Sequence, residues 1–352
     1  MVLIWNGYCA KIVVMNKIAI FDAKDWEAEY LKNELAKAGF ECDLFEHGID
    51  KLPEKKDYDA ISVFIGHPVD KNVIDYFPNL KLITTRSTGF DHIDLAYARS
   101  KNIALGYVPY YGENTVAEFA MGLMLTLSRK LYWSIDRIKR EDEFSFEGLT
   151  GVDLKGKTLG VIGAGHIGQH VIRMAKGFEM NVIAFDRFPK PELAKELGFE
   201  YMTMDEVLGQ SDFITLHLFY APETHHTINK ESIKKIKKGA YLINTARGPL
   251  VETEALVMAL KDGTLAGVGL DVLEDEDIMK DERGFWYSQK DSGDKSNLQT
   301  VLMNHILMDM PNAIITPHTA FNTREAITRI LDCDIENING FFQSQAVKYP
   351  IK

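Results

Sequence analysis

A strand, a glycine loop and a helix follow one another in the middle of the chain. Lys157-Thr158-Leu159-Gly160-Val161-Ile162 is an apolar, β-rich run, Gly163-Ala164-Gly165-His166-Ile167-Gly168 comes directly after it, and residues 169–177 have helical periodicity. This is GxGxxG in the one context where each glycine has a geometric purpose. Gly163 permits the tight turn, Gly165 lets backbone approach a pyrophosphate, and Gly168 lets the helix lie close to the strand. The first helical residues, His166 and Ile167, then present their amides to the anion. The next apolar run, 181–185, ends in Asp186, 18 residues beyond Gly168, where an acid accepts the ribose hydroxyls of a dinucleotide. An acid there repels a 2′-phosphate, so NAD is the expected cofactor, with Arg187 beside it keeping NADP as an alternative.

Around this motif, short apolar runs alternate with amphipathic stretches almost from end to end, the pattern of parallel sheets with crossover helices on both faces. The fold class predicted is α/β. Strands are expected at 17–21, 59–64, 80–84 and 102–105, with helices at 25–38 and 91–100. A second series of strands is expected at 158–162, 181–185, 213–216, 240–243, 267–270 and 313–315, with a helical tail at 324–342. At 352 residues two domains are the natural division. Thr115-Val116-Ala117-Glu118 has the form of a capping box and is expected to open a long apolar helix, whose cover is either the neighbouring domain or a second subunit. Residues 275–310 read as an unusually long connection.

Charge and composition exclude several partners. The formal net charge is −11, which repels a phosphate backbone, and the one dense basic stretch, Lys234-Lys235-Ile236-Lys237-Lys238, reads as a solvated helix end. No nucleic-acid partner is expected. Cys9, Cys42 and Cys333 form no close pair and no zinc set, which points to a reducing, cytoplasmic compartment. The apolar start, 1–15, is broken by Asn6 and Lys11 well short of the ~20 residues a bilayer needs, so no membrane span is expected, and the segment receives no function. His166 and His170 have metal spacing, but no carboxylate or cysteine completes a set, so no metal is expected.

Doubly wound sheets keep their ligands beyond the carboxyl ends of the strands. Three such ends carry Asn244-Thr245-Ala246-Arg247-Gly248, Asp271-Val272-Leu273-Glu274-Asp275-Glu276 and Thr316-Pro317-His318-Thr319-Ala320-Phe321. They supply an arginine, carboxylates and a histidine, the groups that hydride transfer to a 2-oxo acid requires: a cation for the carboxylate, a proton donor, and a group to tune that donor. In this order, after this glycine motif, they resemble the D-isomer-specific 2-hydroxyacid dehydrogenases, and His318-Thr319-Ala320-Phe321 is most similar to the D-lactate dehydrogenase branch.

The resemblance covers nearly the whole chain from Met15. It implies that Arg247 binds the substrate carboxylate, that His318 is the acid/base, and that Glu276 pairs with it, with Glu274 as the alternative partner. It places Thr245 and Asp271 along the nicotinamide half of the cofactor, and Thr88, Gly89, Tyr111 and Phe321 at the substrate. It further implies a discontinuous, flavodoxin-like substrate domain, 1–110 with 314–352, a Rossmann NAD domain, 111–313, a cleft between them, and a homodimer formed through the helix from Thr115. Gly284-Phe285-Trp286-Tyr287 in the long connection adds to the likeness.

Two departures bear on substrate size. His217-Leu218-Phe219-Tyr220 replaces the usual His-Val-Pro and suggests a bulkier wall, while Val69, before 70–73, suggests a roomier pocket; His67 reads as a loop residue or a substrate contact. A small 2-oxo acid, pyruvate, is the expected substrate. D-2-hydroxyisocaproate and hydroxypyruvate or glyoxylate remain alternatives, as does an NAD-sensing corepressor-like scaffold.

Overall fold

The computed structural model describes residues 2–6, 9–13, 15–280 and 296–352, and Gly284-Phe285-Trp286-Tyr287 lies outside them. The chain falls into two compact units, Met1–Tyr111 with Thr323–Lys352, and Gly112–Asn322.

In the first unit, a two-stranded antiparallel hairpin, β1 (Val2–Asn6) and β2 (Cys9–Val13), precedes β3 (Lys17–Ile20), α1 (Asp25–Lys37), β4 (Glu41–Leu44), β5 (Ala60–Val63), α2 (Lys71–Tyr76), β6 (Leu82–Thr85), α3 (Leu95–Ser100) and β7 (Ala104–Gly106). The last five strands form one parallel sheet in the order β4-β3-β5-β6-β7. That is a doubly wound order with its switch between β3 and β5. Every residue of β5 and β6 is buried, as expected of parallel strands covered on both faces. Val69, expected at a pocket, is fully buried in this core, and Asp70 caps α2 by accepting from Asn72 N and Val73 N. His67 lies 3.4 Å from Asp50, and its ring stands 2.0 Å from where a Gly48 Cβ would be, so a side chain there would have to displace it.

The second unit runs α4 (Glu113–Ser128), α5 (Leu131–Glu141), β8 (Thr158–Ile162), α6 (His166–Gly177), β9 (Asn181–Phe185), α7 (Pro191–Leu197), β10 (Glu200–Tyr201), α8 (Met204–Gln210), β11 (Phe213–Leu216), β12 (Ala240–Asn244), α9 (Thr253–Lys261), β13 (Leu265–Leu270), α10 (Glu276–Lys280), α11 (Ser296–Met308) and β14 (Ala313–Ile315). Its seven strands are parallel, in the order β10-β9-β8-β11-β12-β13-β14. The order reverses between β8 and β11, so the loop after β8 stands at the topological switch. The connection expected to be long carries α10 and α11. Finally α12 (Arg324–Ser344), capped by Thr323, returns to the first unit and buries Leu331, Ile335 and Ile338 against Ile18, Ile20 and Leu82.

Three expectations need correction. Residues 314–322 belong to the second unit, because β14 pairs with β13 through Val268↔Ala313 and Leu270↔Ile315. The helix expected to open at a Thr115–Glu118 box opens earlier, with Gly112 as its N-cap and Thr115 buried within its first turn, so Glu118 instead accepts from Asn114. Its apolar face is covered by its own unit. Ala117, Ala120 and Met124 lie in one cluster with Val171 and Ile172 of α6, and the bare Gly267 and Gly269 of β13 admit Leu123 and Leu127. The exposed apolar side chains come later, Leu131, Ile135 and Ile138 on α5 and then Phe144 and Phe146. The basic stretch does lie at a helix end, that of the short 3-10 helix Ile233–Lys235, and Lys234, Lys235 and Lys237 are paired with Glu231, Asp205 and Asp212.

Candidate active site

The glycine loop is built as its spacing demands. Gly163 has φ +99°, and a Cβ there would stand 2.7 Å from His217 O on the far side of the switch point. A Cβ on Gly168 would stand 2.1 Å from Gly163 O. Gly165, the N-cap of α6, differs: no protein atom lies within 4 Å of where its Cβ would be, and no side chain caps the helix. Open space before uncapped amides is where an anionic phosphate fits. His166, at the first helical position, is exposed and stands 3.5 Å from Glu113; the Ile167 side chain packs on the core beneath. Asp186, after β9, accepts from Ala164 N at 2.9 Å and from Phe188 N at 2.8 Å, which holds its carboxylate beside the glycine loop. Arg187 is exposed, with its guanidinium 5.6 Å from the Phe188 ring. Thr245 is buried with its hydroxyl unpaired among protein groups. These features fit a dinucleotide. Gly168→Ala is expected to cost about 1–3 kcal/mol by overpacking and to abolish NADH binding, read by denaturant unfolding and by nucleotide fluorescence.

Beyond the sheet's other strand ends, three loops meet. Asn244, buried at the end of β12, donates to Arg247 O at 2.9 Å and accepts from Ala246 N at 3.0 Å, so its side chain locks the turn that carries Arg247. Arg247 itself is exposed and donates through Nη1 to Ala246 O. A Cβ on Gly248 would lie 2.0 Å from Leu273 O, so the glycine lets the arginine turn pack against the loop after β13.

That loop holds the histidine. Asp271, 1% exposed, accepts through its backbone oxygen from His318 N at 2.8 Å. Its carboxylate accepts from the Thr316 hydroxyl at 2.6 Å, Thr319 N at 2.9 Å and Ala320 N at 2.8 Å. Burial pushes the Asp271 carboxyl upward, opposed by these hydrogen bonds and by the nearby His318. The acceptors of Asp271, a residue expected along the nicotinamide half of the cofactor, are largely used in folding the His318 turn. His318 sits at φ +51°, a conformation most L residues avoid, and this set of bonds holds it there. Its Nδ1 is 2.6 Å from Glu276 Oε1. Glu274, the alternative partner, is engaged elsewhere, with His226 Nε2 at 2.6 Å and the Thr253 hydroxyl at 2.9 Å.

Arg247 and His318 therefore follow β12 and β14, the two neighbours of β13, each three residues past its strand end. Strand spacing puts such ends roughly 10 Å apart, a span that one small ligand can bridge. The half-buried Phe321 follows in the same loop, with its Cβ 4.0 Å from the position of a Gly112 Cβ. Thr88, Gly89 and Tyr111 fall in the first unit: the Thr88 hydroxyl donates to Val108 O, Gly89 O accepts from Ser87, and Tyr111 O accepts from Arg329. Arg86, next to them, is buried and bonds Ser62, which in turn donates to the buried Asp334. In the segment expected to form a bulkier wall, Phe219 is 82% exposed. The half-buried His217 shares a hydrogen bond with the Thr215 hydroxyl, its Nδ1 is shut away from solvent, and burial pushes it down to about 3, so it stays neutral. Asn244 and Gly248 were not singled out in the sequence, although an Asn two residues before a turn amide is a known turn-forming pattern.

The family model for D-isomer specific 2-hydroxyacid dehydrogenase, NAD binding domain, matches residues 121–320. The chain is 33% identical to the D-lactate dehydrogenase of Escherichia coli over 92% of its length and 96% of the relative's. It is 35% identical to the aromatic 2-oxoacid reductase of Clostridium sporogenes, again over 92% and 96%. Among solved structures, D-lactate dehydrogenase from Aquifex aeolicus complexed with NAD and lactic acid matches with a TM-score of 0.79 and 35% identity, covering 95% of this chain and 98% of that one. No helix among the described residues is long and apolar enough to cross a membrane. With a glycine loop, an acid after the following strand and a paired histidine on one parallel sheet, and with relatives matching over nearly its full length, the chain belongs to the NAD-dependent D-isomer specific 2-hydroxyacid dehydrogenases.

Proposed function

We propose that the protein reduces a small 2-oxo acid, pyruvate, to the D-2-hydroxy acid, D-lactate. The observation that carries this reading is the 2.6 Å bond between His318 Nδ1 and Glu276 Oε1, which commits one ring nitrogen to the carboxylate and leaves Nε2 for the substrate oxygen. NADH, when bound, supplies the hydride that ends on C2. Arg247 pairs its planar guanidinium with the substrate carboxylate, orients it, and draws charge from the carbonyl. His318 delivers a proton from Nε2 to the carbonyl oxygen as negative charge grows there, and Glu276 stabilises the imidazolium before that transfer. In the oxidative direction the neutral ring takes the hydroxyl proton back.

D-lactate dehydrogenases recur among both the relatives and the solved structures that match, which supports pyruvate, and Phe321 after Ala320 supports a short apolar side chain. Parallel assays of NADH consumption with pyruvate, phenylpyruvate, 2-oxoisocaproate and hydroxypyruvate, with chiral analysis of the product, test it. Pyruvate should give the highest kcat/KM and the D product. A higher kcat/KM for phenylpyruvate would transfer the chain to the aromatic 2-oxo acids, and saturable NADH binding without turnover would make it a nucleotide-sensing scaffold. The same reading makes the protein a cytoplasmic homodimer, in which a second copy covers Leu131, Ile135, Ile138, Phe144 and Phe146. Light scattering should give twice the chain mass, and Ile135→Arg with Phe146→Arg should give the chain mass.

A further inference from the structure

Two histidines and a glutamate with no part in the reaction above come together on the second unit. His225, His226 and Glu274 each offer one donor atom, and these atoms lie within 4.8 Å of one another, the one such group among the described residues. We propose that they form a binding site for one divalent transition-metal ion of the zinc class. The proposal is independent of the reading of Arg247 and His318, and it departs from the sequence expectation of no metal.

The chemistry of the donors comes first. Two imidazoles and one carboxylate form a set that zinc accepts readily, with water as the fourth ligand, at about 2.0–2.2 Å from each protein atom. Donors that close to one tetrahedral ion stand roughly 3.4 Å apart. His226 Nε2 and Glu274 Oε1 are now 2.6 Å apart, sharing a proton, so exchanging the proton for an ion requires them to part by less than 1 Å. The His225 ring stacks on His226 with centroids 3.8 Å apart and is exposed, so it can turn to complete the set.

The surroundings are those of a ligand set already oriented. The second oxygen of Glu274 accepts from Thr253 Oγ1 at 2.9 Å and Thr253 N at 3.3 Å, which fixes the carboxylate and leaves Oε1 for an ion. Tyr220 Oη stands 3.2 Å from His225 Nδ1, so that Nε2 is the nitrogen left to coordinate. The backbone of Glu274 is itself tied down by Asn304, which donates to its carbonyl at 2.8 Å. His226 is held at φ +49° by bonds from its N to Pro249 O and from Asn229 to its own O. Outer partners of this kind are what orient metal ligands. Spacing analysis does not find the group, because Glu274 lies 48 residues from His226.

The test is a Co2+ titration of the full-length, metal-stripped protein, followed by its visible absorption, with Zn2+ competing. One ion per chain is expected, with an intense tetrahedral spectrum that Zn2+ abolishes. His225→Ala and Glu274→Gln should each weaken binding by about 10-fold to 100-fold or more. His225 is exposed, so its variant removes a donor without disturbing the half-buried pair of His226 and Glu274. His166→Ala and His318→Asn should bind as the parent does. Absence of Co2+ binding, binding that survives both His225→Ala and Glu274→Gln, or loss of the band in His318→Asn would each overturn the assignment.

Discussion

Replacing His318 by Asn is expected to lower kcat for 2-oxo acid reduction by about 10²–10⁴, with NADH binding unchanged. Asn is the informative substitute because His318 occupies the left-handed region at φ +51°, which Asn tolerates and most residues do not. The turn does not depend on the ring. Asp271 holds it through His318 N, Thr319 N and Ala320 N, and all of those bonds survive the substitution. What disappears is the proton donor and its bond to Glu276. Stopped-flow measurement of the NADH decay with saturating pyruvate separates this loss from product release. Near-normal turnover in the variant would remove His318 from the chemistry.

Arg247→Gln is expected to lower kcat/KM by about 10²–10³, and Arg247→Lys by roughly 10-fold to 100-fold, since lysine keeps the charge and loses the two-pronged geometry. The side chain contributes little to the fold. It is exposed and, among the described residues, donates to its own neighbour, Ala246 O; Asn244 and Gly248 do the structural task. The variants should therefore unfold at the parent's denaturant concentration while KM for the acid rises. A variant as active as the parent, with normal KM, would contradict the assignment of Arg247 to the substrate carboxylate.

Much of this was readable before any coordinates. The glycine loop and Asp186 are recognisable because the chemistry of a tight turn and a pyrophosphate restricts residue types at fixed spacing, and the structure shows each glycine where a side chain would collide or would obstruct an open space. Buried parallel strands such as β5 and β6 announce themselves as unbroken apolar runs. The edge strand β4, Glu-Cys-Asp-Leu, does not, because it is only half covered and carries no such run. Helix starts were misplaced where a plausible capping sequence lay one turn inside the real helix, as at Thr115. Long-range pairing is the deeper limit. Nothing local distinguishes Glu276 from Glu274; the choice is made by the fold, which gives one to His318 and the other to His226 and Thr253. Asp271 likewise looks like a ligand in the sequence, and its work in shaping the histidine turn depends on backbone amides that no residue type reveals.

The claim on which the account rests is that His318 and Glu276 act as one unit. A double-mutant cycle on kcat for pyruvate reduction, with His318→Asn, Glu276→Gln and the two combined, measures it directly. The account predicts that the double variant is no slower than His318→Asn alone, because Glu276 has nothing left to tune. Losses that multiply, each substitution acting in full on top of the other, would show two independent groups and contradict it.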